Sequence, residues 1–165
     1  GEAAPPPPAA AEEAPGAGVT DAANQVEVTL YFLAADGEML APEKRRIFRT
    51  TTVTDRARQT VQALLDGPES PLQRALPPGT KLNEIFVARD GTAYVDLSSE
   101  FRHGIETGSS DGVSAIYSIV DTLAGNFDEI ARVKILLDGQ EVEDIGGHFD
   151  LSRPILPEMS QVDRH

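Results

Sequence analysis

The chain has 165 residues and no cysteine, so its length suits one domain with some additional chain, and disulfides and thiolate metal sites are excluded. With 27 acidic and 14 basic residues its formal net charge is −13, which disfavours nucleic acid and anionic lipid as direct partners. Hydrophobic residues make up 40% of the chain, enough for one core. No apolar run reaches the length of about 18 residues that a membrane-spanning helix needs.

Residues 1–25, GEAAPPPPAAAEEAPGAGVTDAANQ, contain four consecutive prolines and almost no large apolar side chain. Such a segment cannot bury enough surface to offset the entropy lost on ordering, so we predict a disordered Pro/Ala-rich linker. A stiff linker of this kind suits a tether, and we expect a targeting or anchoring segment upstream in the full-length protein. The alternative is a connection between two domains. The polar residues 158–165 are predicted to form a flexible tail.

The folded domain is predicted over residues 26–157 and begins with two strands. The segment VEVTLYFLA, from Val26, alternates apolar and polar residues, and EKRRIFRT follows it across a loop. TDRARQTVQALLDGP then has the spacing of an amphipathic helix. We predict that Thr54 caps this helix and that Gly67-Pro68 ends it.

The second half repeats the pattern of two strands and a helix. NEIFVARDGTAYVDLS is predicted to be a hairpin with a two-residue turn at Asp90-Gly91, and Tyr94 and Asp96 on its second strand face away from the core. SSDGVSAIYSIVDTLAGN is predicted to be a helix capped by Ser109 or Ser110 and ended by Gly125. RVKILLDGQEVED adds a strand with an Asp-Gly turn, and HFDLSRPIL closes the domain. This order predicts an α+β two-layer sandwich, a mostly antiparallel or mixed sheet with two helices packed on one face.

Several stretches in this order resemble the GerMN domain of sporulation and spore germination proteins. They are LYF, PEKRRI, LLDGP, LPPGTKL, DGTAYVDLSSEF, GSSDGVSAIYSIVDTL and VKILLDG, and they cover roughly residues 26–155. The resemblance implies a non-enzymatic, extracytoplasmic domain of the kind found on bacterial lipoproteins or membrane-anchored envelope proteins. It also gives the AYVDLSSEF stretch a structural role.

The stretch AYVDLSSEF, from Ala93 to Phe101, raises the question of catalysis. Ser98 or Ser99 would be the nucleophile, His103 or His148 the base, and Asp96 or Asp150 the group that orients the base. However, no G-x-S-x-G turn surrounds Ser98. We therefore favour a strand followed by a turn in which the serine hydroxyls bond to nearby backbone, with Phe101 returning to the core.

Metal and phosphate sites are not expected. His103 and His148 are far apart, His165 is terminal, and neither an H-x-x-x-H pair nor a calcium-loop spacing occurs. The glycine-containing stretch 91–112 lacks the G-K-[ST] end of a phosphate-binding loop. We predict no metal site, no cofactor and no catalytic residue.

A basic cluster of Lys44, Arg45, Arg46 and Arg49 stands out in so acidic a chain. It is our candidate interaction surface for an acidic partner. We favour the alternative, that these charges only prevent an edge strand from pairing with other copies.

We therefore predict a non-catalytic domain of an envelope protein, extracytoplasmic and anchored to a membrane only through a segment upstream of this chain, with other envelope proteins as partners. Two alternatives stay open. One is a hydrolase acting on cell-wall or ester substrates through Ser98 and a histidine, and the other is a small-ligand-binding domain with a deep polar-lined pocket.

Overall fold

A computed structural model describes residues 24–147 and 149–158 of the chain. Residues 1–23 of the predicted linker, His148 and residues 159–165 of the predicted tail lie outside this part. The described residues form eight strands and three helices: β1 (Gln25–Leu33), β2 (Leu40–Phe48), α1 (Val53–Asp66), β3 (Leu82–Val87), β4 (Thr92–Leu97), α2 (Glu100–Glu106), α3 (Gly112–Asn126), β5 (Arg132–Leu137), β6 (Gln140–Glu141), β7 (Asp144–Ile145) and β8 (Phe149–Asp150).

The strands are arranged in three sheets rather than one. β1 and β2 form an antiparallel hairpin, β3-β4-β5-β6 form a four-stranded sheet in that order, and β7 pairs with β8. In the four-stranded sheet β4 and β5 are parallel, and the other neighbours are antiparallel. The α+β class with a mixed sheet is therefore confirmed.

The larger of two hydrophobic clusters in the described residues joins the strands to the helices. Alternate residues of β1, β4 and β5 point into it, as the period of two in the sequence predicts. Helices α1 and α3 complete the core with apolar residues spaced three and four apart. Buried apolar residues of these five elements include Val28, Leu30 and Phe32, Ala93, Val95 and Leu97, Val133, Ile135 and Leu137, Ala57, Val61 and Leu64, and Ile116, Ile119, Val120 and Leu123.

The short helix α2 was not predicted. It begins at Glu100, at the end of the stretch LSSEF that was predicted to be a turn, of which Ser99 is a turn residue. Phe101 is fully buried, as predicted, but it reaches the core from the first turn of a helix. Gly104 allows the helix to pack there, because a Cβ at this position would lie 2.3 Å from the Cβ of Pro77. Contact with Pro77 therefore favours glycine in the middle of a helix that propensity alone would not predict.

The ends of the two longer helices also differ from the predictions. Thr52, not Thr54, caps α1 by accepting from Asp55 N at 3.0 Å. Asp111, rather than Ser109 or Ser110, caps α3 and accepts from the N–H groups of the first turn. Helix α3 continues past Gly125 to Asn126 because the Asn126 side chain is held by β1.

The two Asp-Gly pairs form different turns. Asp138 and Gly139 both have positive φ, 48° and 77°, and close the two-residue hairpin between β5 and β6. At Asp90-Gly91 only the glycine has positive φ, and the N–H of Gly91 bonds to the carbonyl of Ala88 at 3.1 Å. The predicted two-residue turn is therefore wrong there, and residues 88–91 form a longer turn that ends on glycine.

Polar side chains of α3 bond to the outer edge of β1. Asn126 donates to Thr29 O at 2.7 Å and accepts from Thr29 N at 2.9 Å, as a neighbouring strand would. Thr122 accepts from Tyr31 N at 3.0 Å, and Ser118 donates to Tyr31 O at 2.6 Å. These three residues are four apart, so they lie along one side of the helix and replace a strand beside β1.

Replacing Asn126 with alanine should destabilise the chain by about 1–3 kcal/mol, because the partly buried N–H and C=O of Thr29 lose their partners. Gln62, whose amide bonds to Asp66 on the exposed side of α1, provides the control. Its replacement with alanine should cost less than about 0.5 kcal/mol. Urea unfolding of both variants measures the difference, and equal losses of stability would contradict this role for Asn126.

Candidate functional site

The hydrogen bonds of Ser98 serve the local structure. Its hydroxyl oxygen accepts from Lys81 N at 2.9 Å, and its N–H donates to Lys81 O at 2.9 Å. A hydrogen bond from the Ser98 hydroxyl is also the main reason that the pKa of Glu100 is lowered. Within the described ranges no hydrogen bond joins Ser98 or Ser99 to a histidine.

The carboxylates proposed as orienting groups also bond to nearby backbone. Asp96 accepts from Gly139 N at 2.8 Å and holds the turn between β5 and β6 against β4. Asp150 accepts from Ser152 N at 2.9 Å. His148, the other candidate base, lies outside the described residues, so the hydrolase hypothesis gains no support from the groups that the structure places.

In residues 24–147 and 149–158 no group of three or more histidine or carboxylate side chains is arranged to hold a metal ion. Across the same residues, no helix has both the length and the apolar content needed to cross a membrane.

The four basic residues of the candidate interaction surface fall into two groups. Lys44 and Arg46 lie on the solvent side of β2, and Arg49 is exposed just after the strand. Arg45 points to the opposite side, beside the core, where its side chain is only 14% exposed. It lies too deep to belong to the same exposed surface. We refer to Lys44, Arg46 and Arg49 as the basic strip.

Arg45 and Glu43 instead hold the loop that follows α1. The guanidinium of Arg45 pairs with Glu43, donates to Gly67 O at 3.1 Å and lies 6.0 Å from the centre of the Phe32 ring. The Glu43 carboxylate accepts from the N–H groups of Glu69 and Ser70 at 3.1 and 3.0 Å and from the Ser70 hydroxyl. The stretches PEKRRI and LLDGP are thus joined by one buried ion pair.

Burial and hydrogen bonding act in opposite directions on Glu43. Burial alone would raise the pKa of its carboxyl group. Hydrogen bonds from Ser70, Arg45 and the backbone of Glu69 outweigh this effect and lower the pKa from 4.5 to about 2. The charged form of Glu43 is therefore the form that the fold stabilises.

The two edges of the β1–β2 hairpin differ. In the register of the hairpin, the backbone groups of Lys44, Arg46 and Phe48 face away from β1. Gln59 of α1 bonds to both groups of Phe48, accepting from its N–H at 2.7 Å and donating to its carbonyl at 3.1 Å. The outward backbone groups of Lys44 and Arg46 have no hydrogen-bond partner within the described part of the chain.

A groove of about 490 Å³ runs along this edge between β2 and α1 and is open to solvent. Its lining combines apolar surface from Ile47, Phe48 and Ala63 with polar side chains. The polar ones are the arginines Arg45, Arg46 and Arg58, the glutamines Gln25, Gln59 and Gln62, and Asp66. Phe48 is 56% exposed. The open backbone groups, the groove and the basic strip therefore lie together.

The other exposed apolar feature is on the helix-free face of the four-stranded sheet. Phe86 and Tyr94 are cross-strand partners there and are 60% and 37% exposed. The predicted outward direction of Tyr94 is confirmed, but Asp96 on the same face is buried by the turn that it holds. This face adjoins a pocket of about 410 Å³ next to Lys134, whose Nζ donates to Leu151 O at 2.6 Å.

No sequence pattern pointed to Glu43 or Gln59, and Arg45 was predicted to share the exposed surface of the basic strip. Strand alternation would have separated Arg45 from its neighbours, because it places Glu43, Arg45 and Ile47 on one face. A charged pair two residues apart on the core face of a strand is a usable signal for a buried ion pair. Gln59 carries no comparable signal, since its role depends on where α1 packs.

The pH dependence of stability should report the ion pair of Glu43. Because the folded-state pKa is lowered, the stabilisation is present above about pH 4.5 and is lost as the pH falls towards 2. Between about pH 5 and 2.5 the wild type should lose roughly 2 kcal/mol more unfolding free energy than Glu43→Gln. Chemical unfolding at several pH values measures this, and parallel pH profiles of the two proteins would contradict it.

Ser98→Ala should destabilise the chain by about 1–2 kcal/mol, because the Lys81 N–H next to the buried strand end loses its acceptor. Ser99→Ala is the matched control, since the Ser99 side chain makes no cap hydrogen bond to α2. We expect it to change the free energy of unfolding by less than about 0.5 kcal/mol. Equal thermal and urea stability of the two variants would show that the Ser98 bonds contribute nothing.

Comparisons with known proteins agree with this arrangement. The family model described as Germane, sporulation and spore germination, matches residues 29–143. A solved "putative lipoprotein" from Clostridium perfringens is 25% identical, with a TM-score of 0.57, and the match covers 87% of this chain and 95% of that one. A comparison with curated proteins returned no match.

Two further solved structures show the same fold. The first GerMN domain of the sporulation protein GerM from Bacillus subtilis is 22% identical, with a TM-score of 0.60. The match covers 80% of this chain and 97% of that one. The tandem GerMN domains of the same protein give 22% identity and a TM-score of 0.61, and 81% of this chain covers 46% of that chain. Since the family model spans most of the folded domain, this chain belongs to the Germane family of sporulation and spore germination.

Proposed function

We propose that this chain is a non-catalytic interaction domain of a cell-envelope protein, held outside the cytoplasm by a membrane or lipid anchor. The observation that carries the proposal is the basic strip, three exposed cations beside an unpaired strand edge in a chain with a net charge of −13. The similarity to the solved "putative lipoprotein" and to a sporulation protein supports an envelope location. The proposed partners are other envelope proteins with acidic surfaces.

The residues around Ser98 support the same proposal. Ser98, Asp96 and Asp150 bond to the backbone of neighbouring segments, which explains their presence without catalysis. The family description concerns sporulation and germination and names no reaction. Interaction through a surface is therefore a better account of the chain than hydrolysis.

Charge on the basic strip should be needed for partner binding. In the variant Lys44→Glu, Arg46→Glu, Arg49→Glu, with Arg45 retained, capture of envelope proteins should fall at least about tenfold at low salt. Added salt should weaken capture by the wild type in the same way, because exposed charges are screened over about 8–10 Å at physiological ionic strength. Thermal melts should show that the variant folds, since the three side chains are exposed.

The matched control reverses three other exposed cations, Lys81, Arg89 and Arg153, which changes the net charge by the same amount. It should capture the same proteins as the wild type. If both triple variants lose binding equally, net charge rather than the basic strip determines capture. If neither loses binding, the functional surface lies elsewhere on the domain.

A further inference from the structure

The edge of β2 offers a short row of unpaired backbone groups. The N–H and carbonyl groups of Lys44 and Arg46 point away from β1, and Pro42 presents a carbonyl on the same side. At the end of this row the Gln59 amide gives Phe48 both hydrogen bonds that an added strand would give. The side chain thus occupies the position of a strand residue, and an open groove of about 490 Å³ lies beside it.

The alternation of β2 determines what such a strand would contain. Residues opposite Lys44 and Arg46 would have side chains on the solvent face, next to two cations, so acidic residues fit there. The residue between them would lie opposite Arg45 and face the groove, where Ile47 and Ala63 give apolar surface beside polar side chains such as Arg45 and Gln62. Small side chains with an apolar surface fit there. The edge therefore suits an extended segment that alternates acidic and apolar residues.

A second copy of this chain fits the edge poorly. An antiparallel pairing of two β2 edges centred on Arg45 would place Lys44 of each copy opposite Arg46 of the other. Like charges directly opposite one another in a sheet are destabilising. Cations on an exposed edge are a common protection against self-pairing, and they leave the edge available to an acidic strand.

We propose that β2 binds an extended acidic segment of a partner protein by antiparallel strand addition at Lys44 and Arg46. This inference rests on the proposed function and names how the partner is held. The backbone of the two residues supplies hydrogen bonds, the basic strip supplies charge attraction, and the groove takes the apolar side chains of the added strand.

The test uses the full chain and a capped eight-residue peptide that alternates glutamate and valine, measured by fluorescence anisotropy at low salt. In antiparallel pairing, the peptide residues opposite Lys44 and Arg46 exchange backbone hydrogen bonds with those two residues. In the proposed register, these peptide residues are glutamates. N-methylation of the glutamates should weaken binding about tenfold, as expected for the loss of two backbone hydrogen bonds. N-methylation of the valines, the matched control, should leave the affinity within about twofold, because those N–H groups point away from β2.

The second part of the test measures the affinity of the unmodified peptide for two variants of the protein. Gln59→Ala frees the backbone of Phe48 for one more pair with the peptide and should tighten binding about two- to tenfold. Gln140→Ala, the matched control, changes an exposed glutamine on β6, which belongs to a different sheet from β2, and should leave the affinity unchanged. Equal affinities of these two variants would contradict the proposed position of the added strand.

Equal binding of the unmodified peptide and its two N-methylated forms would overturn strand addition. Absence of binding by the unmodified peptide up to about 1 mM would also overturn it. A dimer of the chain alone, seen by analytical ultracentrifugation and lost in the triple charge reversal, would make a second copy the occupant and would also overturn it. If the triple reversal loses its captured proteins while the three peptides bind alike, the proposed function stands and only strand addition fails.

Discussion

The hydrogen bonds between α3 and β1 determine which edge of the hairpin is available. Ser118, Thr122 and Asn126 bond to the outward backbone groups of Thr29 and Tyr31, and Gln73 pairs with Leu33 through backbone hydrogen bonds of 2.8 Å. A helix therefore takes the place of a third strand beside β1. β2 becomes the exposed edge of a two-stranded sheet, and its unpaired groups follow from this arrangement rather than from any property of β2 alone.

The buried pair of Glu43 and Arg45 adds a second constraint. It ties β2 to the loop after α1, so that α1 lies next to the strand and Gln59 can reach Phe48. Charge on the core side of β2 thus maintains the structure, whereas the charges on its solvent side are exposed, and Lys44 there lies 3.8 Å from the Glu27 carboxylate. Adjacent residues of one basic stretch in the sequence consequently have different surroundings.

Periodic patterns in the sequence predicted the α+β class, the main strands and both longer helices, because burial of alternate or three-to-four-spaced apolar residues does not depend on distant contacts. Features that depend on such contacts were not predicted. Helix α2 needs the contact between Gly104 and Pro77. Several polar residues near each helix start could serve as the cap by sequence alone, and only the fold determines that Thr52 and Asp111 do so. The Asp-Gly pair formed the expected turn at Asp138 but a longer one at Asp90.

The candidate site was predicted only in part. Lys44, Arg46 and Arg49 are exposed as a contact surface requires, but whether they bind a partner stays a prediction. The groove, the Gln59 bridge and the open backbone groups could not be read from the sequence, because each arises where two distant segments meet. The serine and acidic residues of the AYVDLSSEF stretch have structural partners, in line with the role that the family resemblance implied.

The central claim is that the outer edge of β1 is hydrogen-bonded and the outer edge of β2 is open at Lys44 and Arg46. Amide hydrogen exchange of the isolated chain, followed residue by residue by NMR, tests this difference most directly. The amides of Thr29 and Tyr31 should be protected by Asn126 and Thr122, and that of Phe48 by Gln59. Those of Lys44 and Arg46 should exchange nearly as fast as in an unfolded peptide, because they lack partners. Strong protection of Lys44 and Arg46, equal to that of Thr29 and Tyr31, would show that the edge is already occupied and would contradict the account.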